Sequence, residues 1–272
     1  SLVRQVPAFV ATFSRGGFSA NNKSLINDGK INQRKQNKES FTKDLPIQKN
    51  EIPSLKPQLI TEFSSLEALI ERLMNYKNPL QPVALDTETT NLNPFKAELV
   101  GIGVCWGDGP NELAYLPIGH KPNKDLTEVE IQNQLPLEDV LTAFAPWLAS
   151  EDHPKVLQNA KYDRLIFLRH GLPLHGVAMD TLLADYLRDA NAKHGLEIMS
   201  KREFDFTPSS FNEIVGKGKT FANVEIKVAS MYCGMDVYIT RKLALRLRDK
   251  LEKIGSEVID LLEEVEQPLE PV

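Results

Sequence analysis

The chain has 272 residues, of which 42% are hydrophobic and 25% are charged, so it has enough material for one large domain or two small ones. No apolar run approaches the roughly 20 residues of a membrane-spanning helix, and a membrane partner is not expected. The two cysteines, Cys105 and Cys233, lie far apart without a C-x-x-C pair. This argues against a disulfide framework or a zinc site and fits a reducing, cytoplasmic compartment.

The net charge of −5 is unevenly distributed along the chain. Residues 1–55 carry nine Lys and Arg against four Asp and Glu, which leaves 23 basic and 33 acidic residues for the remainder. An acidic folded part argues against a protein that coats nucleic acid through bulk charge. It is compatible with an enzyme whose site gathers carboxylates around cations.

The first segment, residues 1–57, is predicted to be the remnant of a preceding domain followed by a flexible linker. Residues 2–13 have the apolar spacing of an amphipathic helix, whereas residues 16–57 are rich in Asn, Lys, Gln and Ser without apolar periodicity. The first 27 residues contain bases and no acid, as an organelle transit peptide does. The favoured alternative is that Ser1 is a cut inside a longer protein.

The next elements are a helix and three strands. A helix is predicted over residues 64–76, where Ser64 and Glu67 make a capping-box pattern and leucines form one apolar face. Strand-like runs separated by turn-forming segments follow at 83–86, 99–106 and 113–118. Their spacing predicts an antiparallel meander.

Helices and strands alternate in the rest of the chain. A helix, a strand, a helix and a strand are predicted at 137–148, 155–158, 160–170 and 177–179. Further helices are predicted at 181–187, 196–202, 210–215 and 224–254, the last of them closed by Gly255. A meander followed by β/α units predicts an α/β fold with a mixed central sheet flanked by helices.

The segment Val83-Ala-Leu-Asp86-Thr-Glu88 carries two acids on one face of a strand, because alternate residues of a strand point the same way. Two carboxylates held so close repel each other and call for a compensating cation. Hard oxygen ligands favour Mg²⁺ or Mn²⁺. Taken alone, the alternative is a strand end with two solvated acids.

Two further segments carry acids. Asp163 lies where a strand runs into a helix, an edge at which α/β sheets collect ligands, or it is a first-turn acid that complements the helix dipole. Tyr232 and Asp236 are spaced i, i+4 on one helix face, either as part of a site or as a simple hydrogen-bonded pair.

Together, four carboxylates can form the oxygen cage of a two-metal phosphodiesterase: Asp86, Glu88, Asp163 and Asp236. In that chemistry two ions about 3.5 to 4 Å apart stabilise the attacking and the leaving oxygen. Tyr232 is then placed to orient or deprotonate the attacking water.

The order D-x-E, N-x-x-x-D and Y-x-x-x-D resembles the tyrosine-bearing branch of the DEDD exonuclease superfamily. Surrounding segments resemble the 3′-5′ proofreading domain of bacterial family A DNA polymerase I, namely Leu99-Val-Gly-Ile-Gly-Val, Ala114-Tyr-Leu-Pro-Ile-Gly-His120, Met179-Asp-Thr-Leu-Leu183 and Gly216-Lys-Gly-Lys219. The resemblance covers about residues 60–255. It implies that residues 58–255 form an exonuclease domain with a ribonuclease H-like fold.

The resemblance also implies roles for individual residues. Asp86, Glu88 and Asp236 would ligate one ion, and Asp86 would bridge to a second that Asp163 supports. Four residues would contact the single-stranded or frayed 3′ end of DNA, with simple packing as the alternative: Leu92 as a wedge between the terminal bases, Gln158 and Asn159 at the 3′ nucleotide, and Phe211 near the unpaired strand.

The chain departs from the family pattern in one loop, where relatives often carry Arg before His and this chain has Lys193 before His194. Lysine supplies charge but not a bidentate grip on phosphate, and the alternative is a pair of solvated loop residues. The loop Gly216-Lys-Gly-Lys219 lacks the spacing of a P-loop. It is expected to be a basic loop near single-stranded DNA or merely a turn.

The ends of the chain resemble a 5′ nuclease domain's last helix and, over residues 256–272, the connection to a polymerase domain. Both domains of the same parent protein are therefore expected partners. The predicted function is hydrolysis of 3′-terminal nucleotides of DNA, as a proofreading module. The alternatives are an RNA-trimming exonuclease of the same superfamily and a catalytically inactive spacer or DNA-binding module.

Overall fold

A computed structural model describes residues 52–122 and 133–272 of the chain. The expected remnant of a preceding domain and nearly all of the expected linker, residues 1–51, lie outside the described residues. The strands of the described part are β1 (Gln58–Leu59), β2 (Val83–Thr89), β3 (Leu99–Cys105), β4 (Leu113–Pro117), β5 (Lys155–Leu157) and β6 (Val177–Asp180). They form one sheet in the spatial order β1-β4-β3-β2-β5-β6.

The sheet is mixed, as the sequence predicts. Strands β2, β3 and β4 form the antiparallel meander, and β5 and β6 continue the sheet in parallel beyond β2. Strand β1 adds a parallel edge next to β4. This edge strand was not predicted, because two residues are too short to show any alternation of apolar and polar side chains.

The helices of the described part are α1 (Phe63–Leu73), α2 (Leu137–Leu148), α3 (Ala160–Arg169), α4 (Thr181–Arg188), α5 (Leu196–Phe204), α6 (Phe211–Val215), α7 (Ile226–Ile254), α8 (Ser256–Leu261) and α9 (Gln267–Leu269). A π-helical turn, Leu262–Glu266, joins the last two. Within the described ranges, no helix has both the length and the apolar content that crossing a membrane requires.

Both faces of the sheet are covered by helices. Val83 and Leu85 of β2 point into a core shared with α1, α2 and α3. Ala84, between them, points into a second core shared with α4, α5 and α7. Every residue of β3 is buried. Two-sided burial explains why the central strands are continuous apolar runs in the sequence, and it leaves the strand ends as the places for polar side chains.

Helix α1 begins differently from the sequence prediction. Its N-cap is Glu62, whose side chain makes no capping hydrogen bond, and Ser64 lies inside the first turn. The capping-box prediction for Ser64 and Glu67 is therefore wrong. Burial of the apolar face that includes Leu66 and Leu69 fixes where this helix lies, and the contribution of that burial exceeds the roughly 1 kcal/mol of a good cap.

The segment after α7 folds back onto the domain. The backbone N–H of Asp180 at the end of β6 donates to Gln267 Oε1 at 2.8 Å. Arg164 of α3 donates through Nε to Glu270 Oε1 at 2.9 Å, and the Glu270 side chain is buried. Residues 256–272, expected to begin a connection to another domain, thus contact the edge of the sheet and α3.

Candidate metal centre

The centre of the site is the second half of β2, which carries Asp86 and Glu88. Strand pairing puts Asp86 opposite Gly103 of β3 and Glu88 opposite Gly101. A Cβ added at Gly103 would overlap Cys233 Sγ, and one added at Gly101 would overlap the Tyr115 ring. Because these positions are glycines, the side chains of Cys233 and Tyr115 can pack directly against the backbone of β3, next to the carboxylates.

Helix α7 brings three more groups to this face. Tyr232 and Asp236 lie one turn apart, as the spacing predicts, and their side chains are hydrogen-bonded. Cys233 Sγ lies 3.8 Å from Asp86 Oδ2. One oxygen of Asp86, one of Glu88 and Cys233 Sγ all lie within 4.8 Å of one another. The thiol was not foreseen, because its proximity depends on how α7 packs and not on any local spacing.

Asp163 approaches β2 from the other side. The pairing of β5 with β2 covers only Val83 and Ala84, so the backbone of β2 beyond them is unpaired on that edge. Asp163 Oδ1 fills part of this gap by accepting from the Thr87 N–H at 3.0 Å and the Thr87 hydroxyl at 2.6 Å. The buried acid is thereby held beside Asp86 and Glu88.

The position of α3 is in turn fixed by Asp180, which the sequence analysis assigned no role. Its carboxylate accepts from the backbone N–H groups of Asn159, Ala160 and Leu182 at 2.8 to 3.0 Å. Asn159 has a left-handed backbone with φ of 64°, at the turn from β5 into α3. Asp180 therefore joins the starts of α3 and α4, and α3 carries Asp163.

The four carboxylates are electrostatically strained without a cation. Burial raises the pKa of Asp86 to about 7. Burial, with repulsion from Asp86 as the next cause, raises the pKa values of Glu88, Asp163 and Asp236 well above their usual range. Burial and the nearby acids likewise raise the pKa of the Tyr232 hydroxyl. This pocket stabilises either protons or metal cations on its acids.

The donor set fits divalent metal ions. Glu88 is 6% exposed, and its Oε1 is buried with no hydrogen-bond partner within the described residues. A buried unpaired carboxylate oxygen is costly unless a cation occupies the space beside it. Carboxylate oxygens are the ligands that Mg²⁺ and Mn²⁺ prefer. Asp86, Glu88, Asp163 and Asp236 are the residues available to hold such ions.

We expect the metal-free protein to lose stability as the pH rises, since a raised folded-state pKa favours the protonated carboxyl. For Asp86, this contribution is complete below about pH 4 and is lost by about pH 7. Asp86→Asn should therefore raise the free energy of unfolding at about pH 8 by about 1 to 2 kcal/mol, a value reduced for the partial exposure of this group. Urea unfolding in the presence of a chelator measures the difference.

The matched control for this pH effect is Asp249→Asn on the exposed side of α7, which should change little at any pH. Mn²⁺ should reverse the order and favour the wild type, because only the wild type keeps the ligand. Equal stability of wild type and Asp86→Asn from about pH 4 to pH 8 would contradict the assigned strain.

The carboxylates lie in a cleft with a volume of about 550 Å³. All of the residues predicted to be catalytic or substrate-binding line it: Asp86, Glu88, Leu92, Gln158, Asn159, Asp163, Phe211, Tyr232 and Asp236. Lys219 and Thr220 also line it, so the Gly216–Lys219 loop reaches the cleft with its last residue. The acids of three separate segments thus share one opening.

The predicted substrate-binding residues have different surroundings. Leu92 is 90% exposed at the cleft, an unusual position for an apolar side chain. Phe211 stacks on Phe221 with ring centroids 6.2 Å apart. The Gln158 amide is engaged by its neighbours, because Nε2 donates to the His194 carbonyl at 2.9 Å and Oε1 accepts from Thr181. These bonds fix the orientation of the amide and leave its second N–H and second lone pair for a contact with a nucleotide.

Tyr162 is a cleft residue that the sequence analysis did not assign. Its hydroxyl donates to the Asn91 carbonyl at 2.6 Å and contacts the Thr89 hydroxyl. It therefore ties α3 to the loop that carries Leu92. Its position inside the Gln158-Asn-Ala-Lys-Tyr-Asp163 segment was a signal that could have identified it.

The loop with Lys193 and His194 is only partly as expected. Lys193 is exposed, but His194 Nδ1 lies 2.7 Å from Asp185 Oδ2, and the His194 side chain is 14% exposed. Asp185 is buried and also pairs with Arg188 and Arg202. The alternative of two solvated loop residues is therefore wrong for His194, because its ring contacts the buried Asp185 carboxylate.

Comparison with known protein families identifies the family of this chain. The family model described as 3′-5′ exonuclease matches residues 57–252. The chain belongs to the 3′-5′ exonuclease family. This confirms the resemblance that the sequence motifs indicate, and the fold of the exonuclease domain is the ribonuclease H-like α/β fold.

The chain is also similar in sequence to individual bacterial DNA polymerases. The chain is 38% identical over 220 residues to DNA polymerase I of Synechocystis, and 35% identical over 203 residues to DNA polymerase I of Rhizobium leguminosarum. The matches cover 80% and 70% of this chain but only 21% and 20% of those relatives. The chain thus spans about a fifth of the length of these polymerases.

A solved structure with the same fold is Escherichia coli RNase D, an exoribonuclease involved in structured RNA processing. The TM-score is 0.57 at 16% identity, over 80% of this chain and 51% of that one. At this identity the likeness shows the fold alone.

Proposed function

We propose that this exonuclease domain hydrolyses the 3′-terminal nucleotide of DNA by a two-metal-ion mechanism. The observation that carries the proposal is the convergence of Asp86, Glu88, Asp163 and Asp236 on one cleft. One buried Glu88 oxygen there has no hydrogen-bond partner in the part of the chain that the structure describes. When bound, two divalent ions would supply Lewis-acid stabilisation to the attacking and leaving oxygens. The proposed Mg²⁺ or Mn²⁺ ligands are these four acids.

In this proposal Tyr232 orients the attacking water and does not deprotonate it. Burial and the neighbouring acids keep its hydroxyl protonated at neutral pH, and Asp236 accepts a hydrogen bond from it. A protonated hydroxyl can hold a water molecule in line with the scissile phosphate. Asp163, fixed by Thr87, would support the second ion.

The proposed substrate is a single-stranded or frayed 3′ end. The carboxylates lie inside a cleft, and a paired duplex cannot bring its terminal phosphate there without melting its last base pairs. Similarity to DNA polymerase I supports DNA as the substrate and proofreading as the purpose. On the same grounds we propose a polymerase I-like parent protein whose polymerase and 5′ nuclease domains are the partners of this domain.

The test is a time course on matched DNA and RNA oligonucleotides of one sequence, labelled at the 5′ end, with Mn²⁺ and the full chain. We expect a ladder that shortens one nucleotide at a time from the 3′ end, with DNA cleaved faster than RNA. Faster cleavage of RNA would favour the RNA-trimming alternative. No cleavage of either would favour the inactive spacer, which should also bind no Mn²⁺ tightly in a calorimetric titration.

Leu92 is proposed to wedge between the terminal bases, since it is an exposed apolar side chain at the cleft. Leu92→Ala should lower the cleavage rate of a blunt duplex end about tenfold and that of a single strand much less, because only the duplex needs its last pair opened. Single-turnover rates on the two substrates give the ratio. Leu80→Ala, another exposed leucine, is the control, and an equal loss on both substrates would contradict the wedge.

A further inference from the structure

The segment that follows α7 contacts the supports of the metal centre at two points. Gln267 and Glu270, at the start and the end of its last helical turn, are three residues apart, so their side chains face the same side. Gln267 contacts β6, and Glu270 contacts α3. We propose that both are positioning residues for hydrolysis, which hold α3 and thereby Asp163 in place from a distance. This inference rests on the proposed function, in which Asp163 supports the second ion.

Glu270 binds α3 through the residue next to Asp163. Arg164 donates through Nε to Glu270 Oε1 at 2.9 Å and through Nη2 to Oε2, so the ion pair is bidentate. The remaining nitrogen, Nη1, donates to the Leu174 carbonyl beyond the end of α3. The Glu270 side chain is only 2% exposed, so solvent screens the pair little. Removal of one partner would leave the other charge largely buried and unpaired, which favours a shift of α3.

Helix α3 is held from two different sides. Successive residues of a helix point about 100° apart, so Asp163 and Arg164 leave α3 in different directions. Asp163 accepts from Thr87 of β2, whereas Arg164 pairs with Glu270 of the returning segment. A rotation of α3 after loss of the Glu270 contact would displace the Asp163 carboxylate. Catalytic groups have to be held within about 0.5 Å of the productive geometry, so even a small rotation should slow cleavage.

Gln267 acts on the start of α3 through Asp180. Strand β6 is the last strand on its side of the described sheet, and the Gln267 amide pairs with its outer edge. Gln267 Oε1 accepts from the Asp180 N–H at 2.8 Å, and Nε2 donates to the Val177 carbonyl at 3.2 Å. The amide thus supplies the acceptor and the donor that a neighbouring strand would supply. Fixing the Asp180 backbone helps to fix its carboxylate, which accepts from N–H groups at the start of α3.

The two residues are expected to act on turnover and not on substrate affinity. Neither Gln267 nor Glu270 is among the described residues that line the cleft. Their loss should therefore lower the cleavage rate and raise the Mn²⁺ requirement, while binding of the single strand is kept. A contact that only stabilised the fold would change neither quantity in protein that stays folded.

The same segment contains a matched control. Glu263 Oε1 lies 3.0 Å from Arg248 Nη2, so this ion pair joins the segment to α7 and not to α3. Glu263→Gln therefore removes a carboxylate from the segment without touching the support of Asp163. The compared proteins are full-length wild type, Glu270→Ala, Glu270→Gln, Gln267→Leu and Glu263→Gln. Urea unfolding first shows which of them are fully folded under the assay conditions.

The measurement is single-turnover cleavage of a labelled single strand over a range of Mn²⁺ and protein concentrations. We expect Glu270→Ala to lower the saturating rate about tenfold and to need more Mn²⁺ for half of that rate, with unchanged affinity for the strand. Glu270→Gln should lose less, because it keeps one acceptor oxygen for Arg164. Gln267→Leu should change the rate and the Mn²⁺ requirement in the same direction as Glu270→Ala, and Glu263→Gln should match wild type.

Two results would overturn the positioning role. One is a folded Glu270→Ala and Gln267→Leu whose rates and Mn²⁺ requirements equal those of Glu263→Gln. The other is a loss confined to strand affinity, which would place these residues at the substrate. Should Glu270→Ala fail to fold, Glu270→Gln carries the same test. A wild type without any cleavage would refute the proposed function, whereas an active wild type with unaffected variants would refute the positioning role alone.

Discussion

Replacing Asp86 with alanine is expected to lower the rate of nucleotide release by at least about 10³-fold while leaving the domain folded. Asp86 lies 3.8 Å from Cys233 Sγ, and its charge acts on Glu88, Asp163 and Asp236. Its removal takes away a metal ligand. It also removes a repulsive charge, so the fold should be at least as stable as in wild type.

The measurement for Asp86→Ala is single-turnover cleavage of a labelled single strand with saturating Mn²⁺. Asp236→Ala, on α7, should behave in the same way because it removes another proposed ligand. Asp249→Ala is the control, since it also removes an acid from α7 but at an exposed position paired with Lys253. Full activity of either site variant would disprove the proposed ligand set.

Replacing Asp180 with alanine is expected to destabilise the folded domain by about 2 to 4 kcal/mol. Three backbone N–H groups, of Asn159, Ala160 and Leu182, donate to this carboxylate, and the site is buried. Alanine would leave them without an acceptor, and each buried unpaired N–H costs about 1 to 3 kcal/mol before water relieves part of it. The loss should appear in urea unfolding with an unchanged m-value.

Asp180→Asn distinguishes the acceptor role from charge alone. Asparagine keeps one acceptor oxygen in the same shape, so it should recover part of the stability that alanine loses. Cleavage should fall together with stability in Asp180→Ala, since α3 positions Asp163. An unfolding free energy within about 0.5 kcal/mol of wild type would show that the three hydrogen bonds are replaced by other contacts.

Much of the fold could be predicted because burial on two faces leaves a strong signal. Continuous apolar runs predict strands at β2, β3 and β4. Leucines at helical spacing predict helix α1. The two-residue strand β1 leaves no such signal, and the first residue of α1 is decided by packing. Local patterns thus identify elements, whereas their ends depend on contacts that are made elsewhere.

The site residues likewise fall into those that local spacing predicts and those that only the tertiary structure reveals. Asp86 with Glu88, and Tyr232 with Asp236, are each close in sequence, so strand and helix geometry bring each pair together. The partners that fix Asp163 and the start of α3, namely Thr87 and Asp180, become visible only in three dimensions. The thiol of Cys233 likewise meets the acids only because α7 lies directly over Gly103.

The bare backbone of β3 opposite the acids sets a rule for redesigning this domain. Any side chain at Gly101 or Gly103 would collide with Tyr115 or Cys233, so β3 offers no position from which ion preference can be adjusted. Helix α7 does, because its Cys233 side chain already lies next to Asp86 and Glu88. An engineer who wishes to retune the chemistry should diversify one turn of that helix and leave the sheet untouched.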